Sequence, residues 1–457
     1  MRNWILVTSA VLTLVMAGCS LHTRTAEQRV ASQTSDLASH GAASTPESAS
    51  PWWSVFEDEA LGHWMKRALT DENSRLVSAR AGVERAEAYL KAQKATDLPG
   101  VNVSGSLGRS RSQGIMGGVS SSWNLSLASS YELDLWGKRA ALKKQRMLDR
   151  EMALLSQRLS TISLSARVAD TWYLLKERTS QWELASREAE LRKAWLDTVT
   201  HRYQQGVVSV SAVYGARSQL ATTQARVAAL KGDVTVAGHA LSALANEKPG
   251  AARIDSRGPL PQLPGLSTTH LPSELVLDRP DVRLAMAEVQ KADEAVAVSF
   301  ANRFPSFSLT AGYGQGGYDS GGLDGSGPAW NIGGNLLAPL LDWGGRKAKV
   351  SADKASLTKA ESDLRTVALE AFQEAADALI RCRQAEESLA EYQQVLALSL
   401  SNTEYVKARY LEGASDVLEL LEAQMGEVSA RSQLVLAKRQ VISTRISLAR
   451  ALALKSL

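Results

Sequence analysis

The sequence predicts a mostly α-helical chain with a smaller β portion, in which a hairpin followed by a very long helix is built twice. Three observations predict it. The phrase Tyr131-Glu132-Leu133-Asp134-Leu135-Trp136-Gly137-Lys138-Arg139 returns as Ala338-Pro339-Leu340-Leu341-Asp342-Trp343-Gly344-Gly345-Arg346, with Trp136 and Trp343, and Arg139 and Arg346, each 207 residues apart (343 − 136). Stretches before each Trp-Gly alternate apolar and polar residues with a period of two. After each Trp-Gly comes a run of sixty-odd residues free of Gly and Pro, Lys138 to Gln205 and Arg346 to Glu412.

The offset holds elsewhere, as a tandem duplication requires. Trp123-Asn124 returns as Trp330-Asn331, and Arg202-Tyr203-x-x-Gly206 as Arg409-Tyr410-x-x-Gly413, both at 207. Upstream the offset is 206: Pro99 matches Pro305, Val83 matches Val289, and Ala79, Ala81 and Ala86 match Ala285, Ala287 and Ala292. One residue inserted between Pro305 and Trp330 accounts for the change. The boundaries expected are a signal over 1–18, a tether over 19–50, a first repeat over 51–248 with its hairpin at 99–136, a Pro/Gly-rich connector over 249–271, and a second repeat over 272–457 with its hairpin at 304–343.

The N-terminus reads as a secretory signal. Arg2 precedes an apolar run, Trp4 to Met16, that ends in Ala17-Gly18-Cys19. The run is shorter than the roughly twenty residues of a bilayer-spanning helix. Small residues before a cysteine resemble a bacterial lipobox, which implies cleavage before Cys19 and its acylation. Ser20 resembles the outer-membrane sorting signal. Ser/Thr/Ala-rich sequence up to Ser50 reads as a flexible tether. Cys382, the one other cysteine, lies in a helical pattern and reads as a small core residue.

Each repeat then presents two strands. From Trp123 to Leu135, positions Trp123, Leu125, Leu127, Tyr131 and Leu133 share one face, and Trp330, Ile332, Leu336 and Leu340 do so in the second copy. Val101, Val103 and Leu107, and Phe307, Leu309, Ala311 and Tyr313, mark the preceding strands. Gly/Ser-rich sequence, Ser110 to Ser122 and Gly314 to Pro328, reads as the loops of the two hairpins. Thirteen residues at ~3.3 Å, tilted ~40°, rise roughly 33 Å, enough for a hydrocarbon core of about 30 Å. Four strands cannot close a barrel, and open edges are not tolerated in lipid. Several chains must therefore share one barrel, of eight, twelve or sixteen strands.

The long helices would span roughly 100 Å at ~1.5 Å per residue. Val350, Leu357 and Leu364 recur every seven residues with Ala360 and Val367 between them, which is coiled-coil spacing. Gly206 and Gly413 supply left-handed turns at the helix ends. Return helices follow, Ser211 to Ala245 and Val417 to Leu454. The net charge of +4 is spread as interleaved acids and bases along helices, the pattern of a solvated face and no sign of nucleic-acid binding.

Three motifs tie this plan to a family. Trp52-Trp53-x-x-Phe56-x-Asp58-x-x-Leu61, then Leu271-Pro272-Ser273-Glu274-Leu275 with Arg279-Pro280-Asp281-Val282-Arg283, then Tyr410-x-x-Gly413-x-x-Asp416-x-Leu418-Glu419-x-Leu421-Glu422-Ala423-Gln424 resemble the TolC-like outer-membrane efflux proteins, in the NodT-type lipoprotein branch that serves resistance–nodulation–division pumps. The resemblance implies a homotrimer: a twelve-stranded β-barrel in the outer membrane continuous with a twelve-helix periplasmic α-barrel. It also implies a periplasmic adaptor and an inner-membrane pump as partners, and no catalysis and no cofactor in this subunit. In the family, acidic side chains ring a closure at the periplasmic tip. Asp416, Glu419 and Glu422, with Tyr410, occupy that motif here, whereas Ser209, Ala212 and Gly215 stand at the matching positions of the first copy.

Other signals point elsewhere less well. Gly312-x-Gly314-x-x-Gly317 has the spacing of a dinucleotide loop but opens no helix, and reads as hairpin loop. The histidines, His201 among them, show no metal-ligand spacing, and no nucleophile or acid/base constellation is visible. A protein-secretion exit duct of the same fold and a non-pore coiled-coil lipoprotein are the alternative readings. The exported cargo is expected to be drugs or other small toxic molecules, since no Met or His run stands near the tip.

Overall fold

A computed structural model describes residues 51–111, 118–250, 254–265, 276–320 and 323–453. The signal, Cys19, the tether and the Leu271–Leu275 motif lie outside the described residues. After a 3-10 turn at Trp52–Phe56, the elements are α1 (Glu59–Ala68), α2 (Ser74–Ala95), β1 (Gly100–Arg111), β2 (Val119–Leu133), α3 (Lys138–Gln204), α4 (Val210–Leu244), α5 (Pro280–Ala301), β3 (Ser306–Ser320), β4 (Leu323–Leu337), α6 (Gly345–Leu411) and α7 (Val417–Ala451). Matching helices have equal lengths: 22 residues in α2 and α5, 67 in α3 and α6, and 35 in α4 and α7. Among the described residues no helix is long and apolar enough to cross a membrane.

The chain divides into two compact units, each drawing on both sequence copies. One comprises Ala81–Leu155 and Arg283–Thr366 and holds a four-stranded antiparallel sheet of order β1-β2-β3-β4. Its register brings Leu107, Trp123, Gly317 and Ser326 abreast, and Val103, Leu127, Tyr313 and Trp330 abreast. Directly opposed residues point the same way. One face therefore collects Val101, Val103, Leu107, Trp123, Leu125, Leu127, Leu309, Tyr313, Trp330, Ile332 and Leu336, every one of them exposed. The reverse face carries small and polar side chains such as Ser104, Ser126, Thr310, Asn331 and Asn335, with hydrogen bonds between Ser104 and Ser126 (2.9 Å) and between Ser110 and Ser120 (2.9 Å). Apolar out and polar in is the wall of a transmembrane barrel. A water-facing sheet would bury the first face.

Two details differ from the expectation. Most of Gly314 to Pro328 is strand, not loop, because β3 continues to Ser320 and β4 begins at Leu323. The glycines are there for close approach: a Cβ on Gly314 would lie 2.9 Å from the Ser126 Cβ, and one on Gly317 would lie 2.5 Å from the Trp123 indole nitrogen. Correspondingly, Ser120 and Ser121 belong to β2. At its far end β4 stops at Leu337, short of the expected Leu340, just before Pro339, which has no N–H to donate to a ladder.

The second unit comprises the described residues of Leu37–Arg80, Ser156–Val282 and Val367–Leu457. Its core joins Trp52, Phe56, Leu61, Trp64 and Met65 to Leu164, Val168, Trp172 and Tyr173 of α3, Leu241 of α4, and Ile442 and Ile446 of α7. Asp58 caps α1 by accepting from the Leu61 N–H (3.1 Å) and accepts the Trp172 indole N–H (2.9 Å). Burial beside Asp58 pushes the Tyr173 phenol far up. The described part of the connector packs as well: Ser256 hydrogen-bonds Thr179 (2.7 Å), and the Pro264 carbonyl accepts from Arg445 (2.6 Å).

Along α6 the buried positions are Val350, Leu357, Ala360, Leu364, Ala368, Ala371, Ala375, Ala378, Cys382 and Ala385. Val367 is only half-buried. The seam takes two successive steps of four residues, from Ala360 to Leu364 and on to Ala368, a stutter in the heptad pattern that locally relaxes the supercoil. Beyond it the buried positions are almost all alanine.

Candidate gate and strand–helix junctions

The two helical tips close by the same backbone device. The Val207 N–H donates to the Arg202 carbonyl (2.9 Å) and the Gly206 N–H to Tyr203 (2.9 Å), with Gly206 at φ +78°. At the second tip the Ala414 N–H donates to Arg409 (2.8 Å) and Gly413 to Tyr410 (3.1 Å), with φ +72°. These paired bonds are Schellman closures, which satisfy the last carbonyls of a helix.

Side chains then distinguish the tips. Asp416 is the N-cap of α7, accepting from the Leu418 N–H (3.3 Å), and forms a close ion pair with Arg202 from the first tip. The Arg202 guanidinium holds the Asp416 carboxyl below the usual carboxylate range. Ser209, the matching N-cap of α4, makes no such side-chain bond. Glu419 accepts from the Ser415 hydroxyl and pairs with Arg409 (3.3 Å), which also donates to the Ala414 carbonyl (2.8 Å). Glu422 is exposed on a groove shared with Glu188, Arg192, Trp195 and Arg226, and has no ion-pair partner among the described residues. Tyr410 is partly exposed. A small cluster of Leu191, Leu421 and Val428, backed by Trp195 and Met425, holds the start of α7 against α3.

The junctions also share a device and diverge. Asp134 caps α3 through the N–H groups of Arg139 (3.1 Å) and Ala140 (2.9 Å). Asp342 caps α6 through those of Arg346 (3.1 Å) and Gly344 (3.1 Å), whose donation lowers its carboxyl pKa. The Trp136 indole stacks on Phe304 at 4.8 Å and donates to the Pro305 carbonyl at 2.6 Å. Trp343 is 89% exposed and itself sits at φ +53°, followed by Gly344 at +86°.

Two functional contacts escaped the sequence reading. Arg202 was visible only as part of a repeated phrase, and nothing in that phrase names Asp416. Arg279, in the family-like Arg-Pro-Asp-Val-Arg motif, is buried: it forks onto Asp281 (2.7 and 3.1 Å) and also reaches Glu374 (2.7 Å) and the Ala451 carbonyl (2.9 Å). It pins the start of α5 and the end of α7 to α6. The motif is a structural clamp here.

The family model described as "Outer membrane efflux protein" matches the chain twice, over residues 65–247 and 271–454. The chain belongs to this family. Among similar proteins, the probable efflux pump outer membrane protein TtgC of Pseudomonas putida is 26% identical over 98% of this chain and 95% of its own length. Nodulation protein T of Rhizobium leguminosarum bv. trifolii is 24% identical over 82% and 81%. The solved outer membrane protein VceC of Vibrio cholerae shares the fold, with a TM-score of 0.77 at 20% identity, covering 88% of this chain and 99% of that one. An efflux protein of this family resides in the outer membrane, which the apolar sheet face suits.

Proposed function

We propose that the protein is the exit duct of a tripartite efflux system, passively conducting small toxic compounds or drugs to the cell exterior. The observation that carries this reading is the sheet: an efflux-family chain exposes a largely apolar face on four strands whose two outer edges have no partner among the described residues. In lipid those edges need partners, so the working form is a homotrimer sharing one barrel, served by a periplasmic adaptor and an inner-membrane pump of the resistance–nodulation–division type. Repeats over 51–248 and 272–457 would each contribute one hairpin and one helix pair. Among the tip carboxylates, Asp416 and Glu419 are matched by Arg202 and Arg409, which leaves Glu422 to set the charge of a narrow passage. A ring of unmatched carboxylates favours cations.

Planar-bilayer recording of the purified, lipidated protein tests the reading. The expected result is discrete conductance from an oligomer, with Glu422→Gln reducing the preference for cations over anions in the reversal potential. Monomeric material that leaves liposomes sealed would falsify it. Deleting the gene and finding which compounds become more toxic would identify the cargo.

A further inference from the structure

The lipid-facing side of the sheet is not apolar to its end. Its lowest row, where the strands meet the helices, is Leu133, Phe307 and Leu336, and its highest apolar row is Leu107 and Trp123 beside Gly317. Ten residues of β2 separate the two rows (133 − 123). At ~3.3 Å each and a tilt of ~40°, that is roughly 25 Å, the usual height of the apolar band on a barrel. The next row on this face is Arg109, Ser121 and Asp319, and Arg111 opposite Val119 follows. These rows lie roughly 5 and 10 Å beyond the band, at the level of lipid headgroups. Among the described side chains of the strands, Arg109, Arg111 and Asp319 are the charged groups on this face, and all three stand at the hairpin-loop end. Both arginines are exposed, and neither has an ion-pair partner among the described residues.

We infer that Arg109 and Arg111, with Ser121 beside them, bind the phosphate of a lipid headgroup in the outer leaflet. This rests on the proposed exit duct, which puts the long helices in the periplasm and the hairpin loops at the outer leaflet. Residues i and i+2 of a strand stand about 7 Å apart on one face. Two guanidinium forks at that spacing can close on one phosphate, or take one each of a bisphosphorylated sugar. The Ser121 hydroxyl, directly opposite Arg109, adds a donor. Just below, Trp123 lies flat over Gly317, where a Cβ would come 2.5 Å from its indole nitrogen. Leu107, Arg109, Ser121, Trp123 and Asp319 share the lining of an open depression of about 640 Å³. An indole at the water boundary with cations immediately above it suits acyl chains below and phosphate above. Asp319 is two strands from Arg109 in the same row, roughly 10 Å away. Its carboxylate repels phosphate, which confines the headgroup to β1 and β2. The helix-bearing end has no such feature, since its last row on this face is wholly apolar.

Lipid A, in its bisphosphorylated and dephosphorylated forms, is the probe that tests the site. The full-length lipidated protein in detergent is incubated with each form and passed through gel filtration, and the lipid retained per chain is counted by mass spectrometry. Retention of the bisphosphorylated form is expected to exceed that of the other by roughly ten-fold, as two arginines at a charged surface provide. Arg109→Gln combined with Arg111→Gln is expected to remove that excess, and Asp319→Asn to keep or raise it. Equal retention of the two forms by the unaltered protein overturns the site, as does an undiminished excess in the double variant. A fall on Asp319→Asn overturns the placement over β1 and β2. Millimolar inorganic phosphate is expected to leave the lipid bound, and its complete displacement would make this an anion site and overturn the lipid assignment. Planar-bilayer conductance of the double variant is expected to match that of the unaltered protein, because both arginines face away from the lumen. An unaltered protein that retains the lipid yet never conducts overturns the exit duct and leaves the lipid site standing.

Discussion

Trp136 and Trp343 occupy the same word of a repeated sentence, yet one is stacked and hydrogen-bonded while the other stands almost wholly in the open. The difference begins in the neighbouring acid. Asp134 lies two residues before its tryptophan, but Asp342 lies directly before its own. Capping from the nearer position draws the chain through two consecutive left-handed residues, Trp343 and Gly344, where the first junction needs only Gly137. A non-glycine residue at positive φ costs energy and persists where its surroundings demand it. Among the described residues no contact of Trp343 explains that demand. Duplication copied the residues, and only one copy of the contact closes inside a single polypeptide.

The comparison can be broken most strongly at the first junction. Trp136→Ala removes a ring stack and a hydrogen bond from a half-buried site, and is expected to destabilise the chain by about 2–3 kcal/mol. Trp343→Ala is expected to cost the isolated chain a few tenths of that at most, because the indole there touches solvent. Denaturant titration of the two variants as detergent-dispersed monomers checks the contrast, and equal losses would end it.

A smaller effect separates the glycines that follow. A Cβ on Gly137 or Gly344 would meet nothing within 4 Å, so replacement by alanine reports backbone preference alone, about 1–2 kcal/mol each. Larger loss at Gly137 than at Gly344 would show that the second junction relaxes by moving its already strained tryptophan. Thermal unfolding of the two variants reads this directly.

The smallest effect lies at the tips, where the two copies differ at the N-cap, Asp416 against Ser209. Arg202 lowers the Asp416 carboxyl in the folded protein. Its contribution is therefore present above the ordinary carboxylate value of about 4 and fades as pH falls through the lower folded value. Asp416→Asn is expected to remove that acid-side dependence from the melting of the tip, followed by hydrogen exchange of the α7 first turn. Ser209→Asp, at the matching N-cap, should gain about 0.3–1 kcal/mol from the helix dipole.

Much of this was legible in the sequence because it is periodic. The repeat offsets, the alternating strand faces and the glycine-closed tips each depend on spacing along the chain, and spacing survives without a structure. The strand glycines read as loop for the opposite reason. Gly314 and Gly317 are small because a neighbouring strand crowds them, and that neighbour is some 190 residues away in sequence (317 − 123 = 194). Arg202 and Asp416 stand 214 residues apart, and each belongs to a different copy of the repeat. The clamp at Arg279 is not legible in the sequence, since a charged residue reads as exposed and its partner Glu374 is 95 residues away. A strict heptad puts Val367 in the helical seam, whereas the chain takes a second step of four from Leu364 and buries Ala368 instead.

Equal helix lengths carry a consequence for how such a chain can change. With 67 residues in both α3 and α6, deleting one residue from either would swing every later side chain by about 100° and shift it by about 1.5 Å. Its twin would keep the old phase. Growth or shortening is thus permitted only in matched steps, and a lineage that resized this protein should carry the scar of each edit twice, about two hundred codons apart.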